Sequence, residues 1–531
     1  MGTVLLPVYN VAVKYRLTAT AVLAAAAIAL ALWLARPAPI IATDQEQPRL
    51  NQAAPTPHGT SVVVQSLVAG HDGLSSVELL AVAGPAQPSS AILTVQLLNS
   101  AGEVVAEQDF AGVKHNAPLR LDLPPQPHSK GHSYLLKLSG SPDNIATAWA
   151  YSLDGYLAGS LTIDGQPQAG DLYFKSSYTY LWPAALGDAA ASLWGLAAVA
   201  VPMWLLLFAP GALLLGVLGP VGGLARPPGA RWGLSLGLSV SLLALAWLWA
   251  GVAGWRWSPA GLWVVYGALG LAAIGRALLG WRRRGWPRVR LETLALAAIV
   301  LASVLVRLLA VRDLALPAWV DSSHHLLIAR LLELGGQIPA SYQPFLPVDV
   351  FYYHFAFHVL LVSLHWLTAM PLADAALLLG QVLNGLIPLA AYALAWGLTG
   401  RRRAALAAAL VAGLVSYFPG YFVNWGRYTQ LTGLLVLGPA AAVLWRALRP
   451  AGPGRWSSFR LAVLAAVLAA GVLLAHYRVL AFYAAFALVA FLAHARQRRA
   501  WVALALAGAG GALLSLPWLG RLAAQAILPV A

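Results

Sequence analysis

Two patterns of apolar and polar positions divide the chain. From about Thr43 to Tyr178 apolar and polar residues alternate in short runs, among them Ser61–Val68, Val77–Val82, Ala91–Leu98, Val104–Phe110 and Tyr134–Leu138. Turn-forming clusters such as Asn99-Ser100-Ala101-Gly102 and Ser139-Gly140-Ser141-Pro142 separate these runs. Period-two alternation with a break about every 8–12 residues predicts half-buried strands and an antiparallel β-sandwich. Elsewhere the apolar residues run on in Ala/Leu/Val-rich stretches of the length (about 20 residues) that a helix needs to cross a bilayer. These predict spans near 17–35, 190–218, 232–252, 258–280, 291–311, 372–398, 403–421, 429–447, 459–476, 478–495 and 500–518.

The fold class expected is therefore a polytopic α-helical membrane protein of about 11 transmembrane helices with an inserted extracytoplasmic β-sandwich. Lys14 and Arg16 precede the first span, and Arg36-Pro37 after it is a poor cleavage context, so residues 1–40 read as an uncleaved signal anchor with its N-terminus cytoplasmic. The sandwich then occupies 41–180, accessory spans 181–284, and a last module 285–531 with an outer loop at 312–371. Composition agrees. Of 531 residues 60% are hydrophobic and 10% charged, against about 25% charged in soluble domains, which excludes a water-soluble globule, a disordered chain and a coiled coil.

The net charge of +15 does not point to nucleic acid, because most arginines sit in short clusters between apolar runs, as in cytoplasmic loops. With no cysteine in the chain, disulfides, thiolate-held metals and thiol catalysis are excluded. Charge also decides the run Tyr352–Met370. If it does not cross, Arg401, Arg402, Arg403, Arg446, Arg449, Arg455, Arg460, Arg496, Arg498 and Arg499 face inward, and only Arg427, Arg478 and Arg521 face outward. Crossing inverts that ratio, so 352–370 is expected to be a re-entrant or surface-lying helix on the outer side. His354, His358 and His365 fall within about 40° on a helical projection, a polar stripe suited to an interface.

From residue 179 onward the chain has seven acidic residues, Asp188, Glu292, Asp313, Asp321, Glu333, Asp349 and Asp374. Five lie in 313–374, together with His324, His325, His354, His358 and His365. Asn424, Trp425, Gly426, Arg427 and Tyr428, and then His476, Tyr477 and Arg478, return to the same side. Ionisable groups gathered at one membrane face mark a pathway or a site. Asp321 opens a helical stretch, Ser322–Leu334, and has two readings. It is an N-cap and nothing more, or, aligned with His324 and His325, it is a general base. The spacing of His354 and His358 would suit a metal, but no zincin motif accompanies it. Arg427, His476 and Arg478 suit an anionic headgroup, with snorkelling at the interface as their bland role.

The segments WVDSSHHLLIARLLELGGQIP, PFLPVDVFYYHFAFH, LTGRRRAALAAALVAGL and WGRYTQLTG, between Trp319 and Gly433, resemble the GT-C superfamily of polytopic glycosyltransferases, which includes protein O-mannosyltransferases and aminoarabinose transferases. The resemblance covers roughly 285–531. It implies a first outer loop with an acidic residue, lying helices and about seven spans. It also implies glycosyl transfer to an acceptor hydroxyl on a glycan, lipid or protein, with Asp321 as catalytic base; because the site faces outward, where nucleotide sugars are scarce, the donor expected is a polyprenyl-phosphate sugar. His324, His325, His354, His358, Arg427, Tyr428, His476 and Arg478 would bind substrate. Many members carry two adjacent acidic residues where this chain has Asp321-Ser322, which weakens a metal-binding pair and leaves a divalent cation as an open cofactor. The sandwich resembles the jelly-roll, carbohydrate-binding-like modules of bacterial surface enzymes, from Asp72-Gly73-Leu74 to Asp171-Leu172, with a spacer or assembly domain as the alternative. A ligase of lipid-linked glycans, a flippase and a non-catalytic assembly protein are the competing functions.

Overall fold

A computed structural model describes residues 39–84, 88, 90–219, 221, 223–284, 289–312, 314, 316–449 and 455–527. The expected signal anchor and Asp313 lie outside the described residues. The chain divides into two compact units at Asp188.

The first unit is a sandwich of two antiparallel sheets. One has seven strands, in the order β1 (Pro39–Gln47), β13 (Phe174–Leu181), β4 (Leu74–Val82), β9 (Thr147–Tyr151) and β12 (Asp171–Leu172), with β2 (Gln52–Ala53) paired to β9 and β7 (Pro118–Gln126) to β4. The other has six, in the order β11 (Gln166–Gln168), β10 (Leu161–Ile163), β3 (Val63–Val68), β8 (Ser133–Gly140), β5 (Ile92–Asn99) and β6 (Val104–Ala111). Alternation places every second residue inward, as period-two geometry requires: Val63 and Leu67, Leu93, Val95 and Leu97, and Leu136 and Leu138 meet Leu74, Val77, Leu79, Leu119 and Leu121 of the facing sheet. The alternating runs expected at 61–68, 77–82, 91–98, 104–110 and 134–138 fall on five of these strands. The chain also starts its first strand earlier, at Pro39.

One buried polar knot sits in this core. Asp171 accepts hydrogen bonds from the backbone N–H groups of Gly155 (2.7 Å) and Tyr156 (2.9 Å) and from Gln65 Nε2 (3.1 Å). Gln65 Oε1 in turn accepts from Leu172 N at 2.9 Å. Each partner satisfies a group that burial would otherwise leave unpaired.

The second unit is helical. Seven helices among the described residues are long and apolar enough to cross a membrane: Ala184–Leu218, Pro228–Val252, Pro259–Arg283, Leu291–Ala310, Leu372–Thr399, Tyr428–Leu448 and Ser458–Ala475. Counting two bent pairs as single spans gives nine. The expected span 403–421 is one of these pairs. It is helical to Val415, breaks, and resumes at Tyr417 with a 61° bend. Phe418 at the break has φ −96° and ψ 139°, the extended backbone that a residue before proline prefers. Pro419 then removes a ladder donor. The stretch 500–518 bends by 70° between Leu514 and Leu516, where Pro517 has the same effect. The stretch 478–495 forms a helix of 16 residues, Tyr477–Leu492, about 24 Å long and short of the roughly 30 Å hydrocarbon core.

The run 352–370 forms only a 13-residue helix, Ala356–Thr368. It does not lie exposed on the surface of the helical unit. Ten of its residues are buried, from Ala356 to Leu364 without a gap and then Leu367, because it is apolar on all sides and other helices enclose it. Its histidine stripe faces protein, and His354 precedes the helix instead of riding on it.

Candidate functional site

Four separate stretches of the helical unit bring the candidate residues together. The helix Val320–Gly335 begins at Val320 after Trp319, whose φ of +71° turns the chain into it. Asp321 therefore lies inside the first turn and is not the N-cap, a position where the helix dipole favours a carboxylate. Ser322 Oγ donates back to the Ala318 carbonyl.

The second stretch, Trp425-Gly426-Arg427-Tyr428, closes a 3-10 turn (Tyr421–Trp425) that follows the broken span. Gly426 sits at φ +61°, and a side chain there would meet the Ser322 backbone nitrogen at 2.9 Å. Glycine thus lets this loop press on the start of the Asp321 helix. The contact sets Arg427 Nε 3.8 Å from Asp321 Oδ2, both side chains part-exposed. Arg427 also lies over the Trp425 ring at 5.6 Å, within cation–π range.

Behind this ion pair stand the histidines. His325 Nδ1 is 3.0 Å from His358 Nε2. His324 Nε2 is 3.2 Å from the Tyr342 hydroxyl. His354 sits between Tyr353 and His476, with tilted rings whose centroids are 4.1 and 4.3 Å away, and neither of its ring nitrogens has a hydrogen-bond partner among the described residues. His476 caps the helix Tyr477–Leu492, its Nδ1 accepting from Arg478 N at 3.2 Å. A neutral ring accepting at Nδ1 carries its proton on Nε2. Tyr428 stacks on Phe357 at 5.1 Å and reaches His325 at 6.0 Å. Gly380 makes room for that ring, which any side chain there would strike.

Burial decides the charge of these imidazoles. Desolvation first, and neighbouring imidazoles second, push His325 down to about 3. His354 and His358 are driven well below the ordinary histidine value for the same reasons. Desolvation, then Arg478 and Arg427, take His476 down to about 4. His324 is lowered too, against the pull of Asp321. The histidines are therefore neutral hydrogen-bonding groups at pH 7 and not the cations that a phosphate would want. Positive charge here comes from Arg427 and Arg478. His365 is apart from the cluster, bonded to the Met370 carbonyl (2.6 Å) and 3.4 Å from Glu333.

Two tyrosines belong to the site without any mark in the sequence pattern. Tyr342 bonds His324, and Tyr353 packs on His324, His354 and His358, facing the charges of Asp321, Arg427 and Arg478. Among the described residues no group of three His, Asp or Glu side chains is placed to hold a metal ion. No protein-family model matches the chain, and no curated protein sequence does.

Proposed function

We propose that the chain is a membrane glycosyltransferase of GT-C type, with a catalytic module at 285–531, that moves a sugar from a polyprenyl-phosphate donor to an acceptor hydroxyl at the extracytoplasmic face. The observation that carries this reading is the Asp321–Arg427 pair, a carboxylate and a guanidinium side by side and next to a buried imidazole and tyrosine cluster. In this reading the acceptor hydroxyl hydrogen-bonds Asp321, which takes its proton as the oxygen attacks the anomeric carbon. The bond from that carbon to the phosphate oxygen breaks with inversion. Arg427 and Arg478 neutralise the charge that develops on the lipid phosphate, a task suited to guanidinium. The neutral histidines, with His476 presenting Nε2–H, hydrogen-bond the sugar hydroxyls.

The test is Asp321→Asn in purified protein supplied with polyprenyl-phosphate sugars. The expected result is a fall in transfer of about 10²–10⁴-fold with donor binding retained. Unchanged transfer, or no transfer by the parent protein with any such donor, would overturn the reading.

A further inference from the structure

A groove lies along the helix Pro228–Val252 and is lined by none of the residues of the Asp321 cluster. The helix Pro228–Val252 spans about 37 Å. Just beyond its C-terminal end Trp257 N bonds the Gly336 carbonyl at 2.7 Å, at the foot of the Asp321 helix. Near its N-terminal end Gly229 packs on Leu296 and Tyr392, and there a groove of about 570 Å³ opens. That volume lies within the range of ligand pockets, about 300–1,000 Å³. Its floor includes Ser235, Val304 and Leu389, all buried, and its rim includes the exposed Trp204, Trp232 and Leu301. Arg231 is the one charged residue lining it.

Apart from Arg231 and Ser235 the walls are apolar, so in a bilayer a hydrocarbon chain fills such a groove. Electrostatics narrows the kind of lipid. Glu292 is the acidic residue at this end, and Arg402 already holds it at 3.4 Å. Arg231 and the nearby Arg226 have no ion-pair partner among the described residues. An unpaired guanidinium beside an apolar slot matches a phosphate joined to an acyl chain, and a second one favours a headgroup with net negative charge.

We infer that this groove binds an anionic phospholipid of the bilayer, one acyl chain lying along Val304 and Leu389 and the phosphate on Arg231. The inference rests on the membrane reading of the helices and not on the transferase reading of the Asp321 cluster. No residue of that cluster lines the groove, so lipid binding here survives changes to Asp321.

The experiment is native mass spectrometry of the full chain in detergent, with phosphatidylglycerol and phosphatidylcholine of identical tails. The expected result is one phosphatidylglycerol retained about tenfold more strongly than phosphatidylcholine, because both phosphates can reach the guanidinium groups but only phosphatidylcholine brings a choline cation that they repel. Arg231→Gln removes the preference. Ala297→Trp, which fills the groove from an exposed position on its wall, reduces retention of both lipids, while Asp321→Asn leaves it unchanged. Equal retention of the two lipids, or a preference that persists in both groove variants, would overturn the proposal by showing ordinary annular lipid. Displacement of the phospholipid by polyprenyl phosphate at equal concentration would overturn it in favour of a substrate-lipid site.

Discussion

Nδ1 of His325 and Nε2 of His358 face each other at 3.0 Å inside a shell of Tyr353, Phe357 and Tyr428. Two neutral imidazoles can share such a contact only if one donates and the other accepts, so each ring sets the tautomer of its neighbour.

Burial of these imidazoles makes stability depend on pH in a defined direction. The folded pKa values of His325 (about 3), His476 (about 4), His354 and His358 all lie below the unfolded value near 6.5. The unfolded chain therefore binds more protons in acid. The stabilisation is complete above about pH 6.5 and is lost as pH falls below it, by up to about 1.4 kcal/mol per unit for each imidazole. Melting temperatures in detergent should be flat from pH 7 to 8 and drop steadily from 6.5 to 4.5. His358→Phe should flatten that slope, and a slope unchanged by it would separate the effect from this pair.

Arg427 contributes both charge and planar geometry. Arg427→Lys keeps the first and loses the second, so lipid-phosphate binding should weaken about tenfold, whereas Arg427→Gln should lose about a hundredfold. Titration with polyprenyl phosphate separates the two variants. Equal effects would mean that the guanidinium fork has no specific role.

Gly426 sits where only glycine is comfortable. Gly426→Ala adds the cost of a left-handed residue, about 1–2 kcal/mol, to a collision with Ser322. The expected outcome is a lower melting temperature together with weaker phosphate binding, because the loop carrying Arg427 is pushed off the Asp321 helix. Loss of stability alone would show that Arg427 keeps its place by other contacts.

In the sandwich, Asp171→Ala strands the buried Tyr156 N–H, frees the Gly155 N–H, and leaves Gln65 Nε2 with the Ser66 carbonyl as its remaining acceptor. Each unpaired buried group costs about 1–3 kcal/mol, enough to open a small sheet domain. Limited proteolysis of the full chain should then cut between residues 39 and 181 while the helical unit stays intact. Resistance equal to the parent protein would mean that water satisfies the vacated groups.

Strands and spans were legible where a single periodicity dominates. Val63–Val68 and Tyr428–Leu448 read directly from alternation and from apolar length. Legibility failed where length and burial disagree. The run 352–370 is apolar enough to span, yet its helix is 13 residues long and enclosed by protein. A histidine stripe looks the same in sequence whether it faces headgroups or neighbouring helices. The gathering of Asp321, Arg427 and His476 could be anticipated from charge segregation, because ionisable residues are scarce in this chain and their return to one side is conspicuous. Tyr342 and Tyr353 could not, since aromatic residues are common here and nothing local separates a site tyrosine from a packing one. Nor did the pattern reveal that the imidazoles are neutral, which follows from burial alone.

The first and last strands of the sandwich are hydrogen-bonded neighbours, with Pro39 opposite Leu181. The polypeptide thus arrives at and departs from this domain through adjacent points, about 5 Å apart as paired strands are. A domain attached in this way is a cassette. Cutting out residues 40–180 would leave two stubs that a few glycines could join, and a different domain with neighbouring termini could be grafted at the same point without stretching the chain on either side.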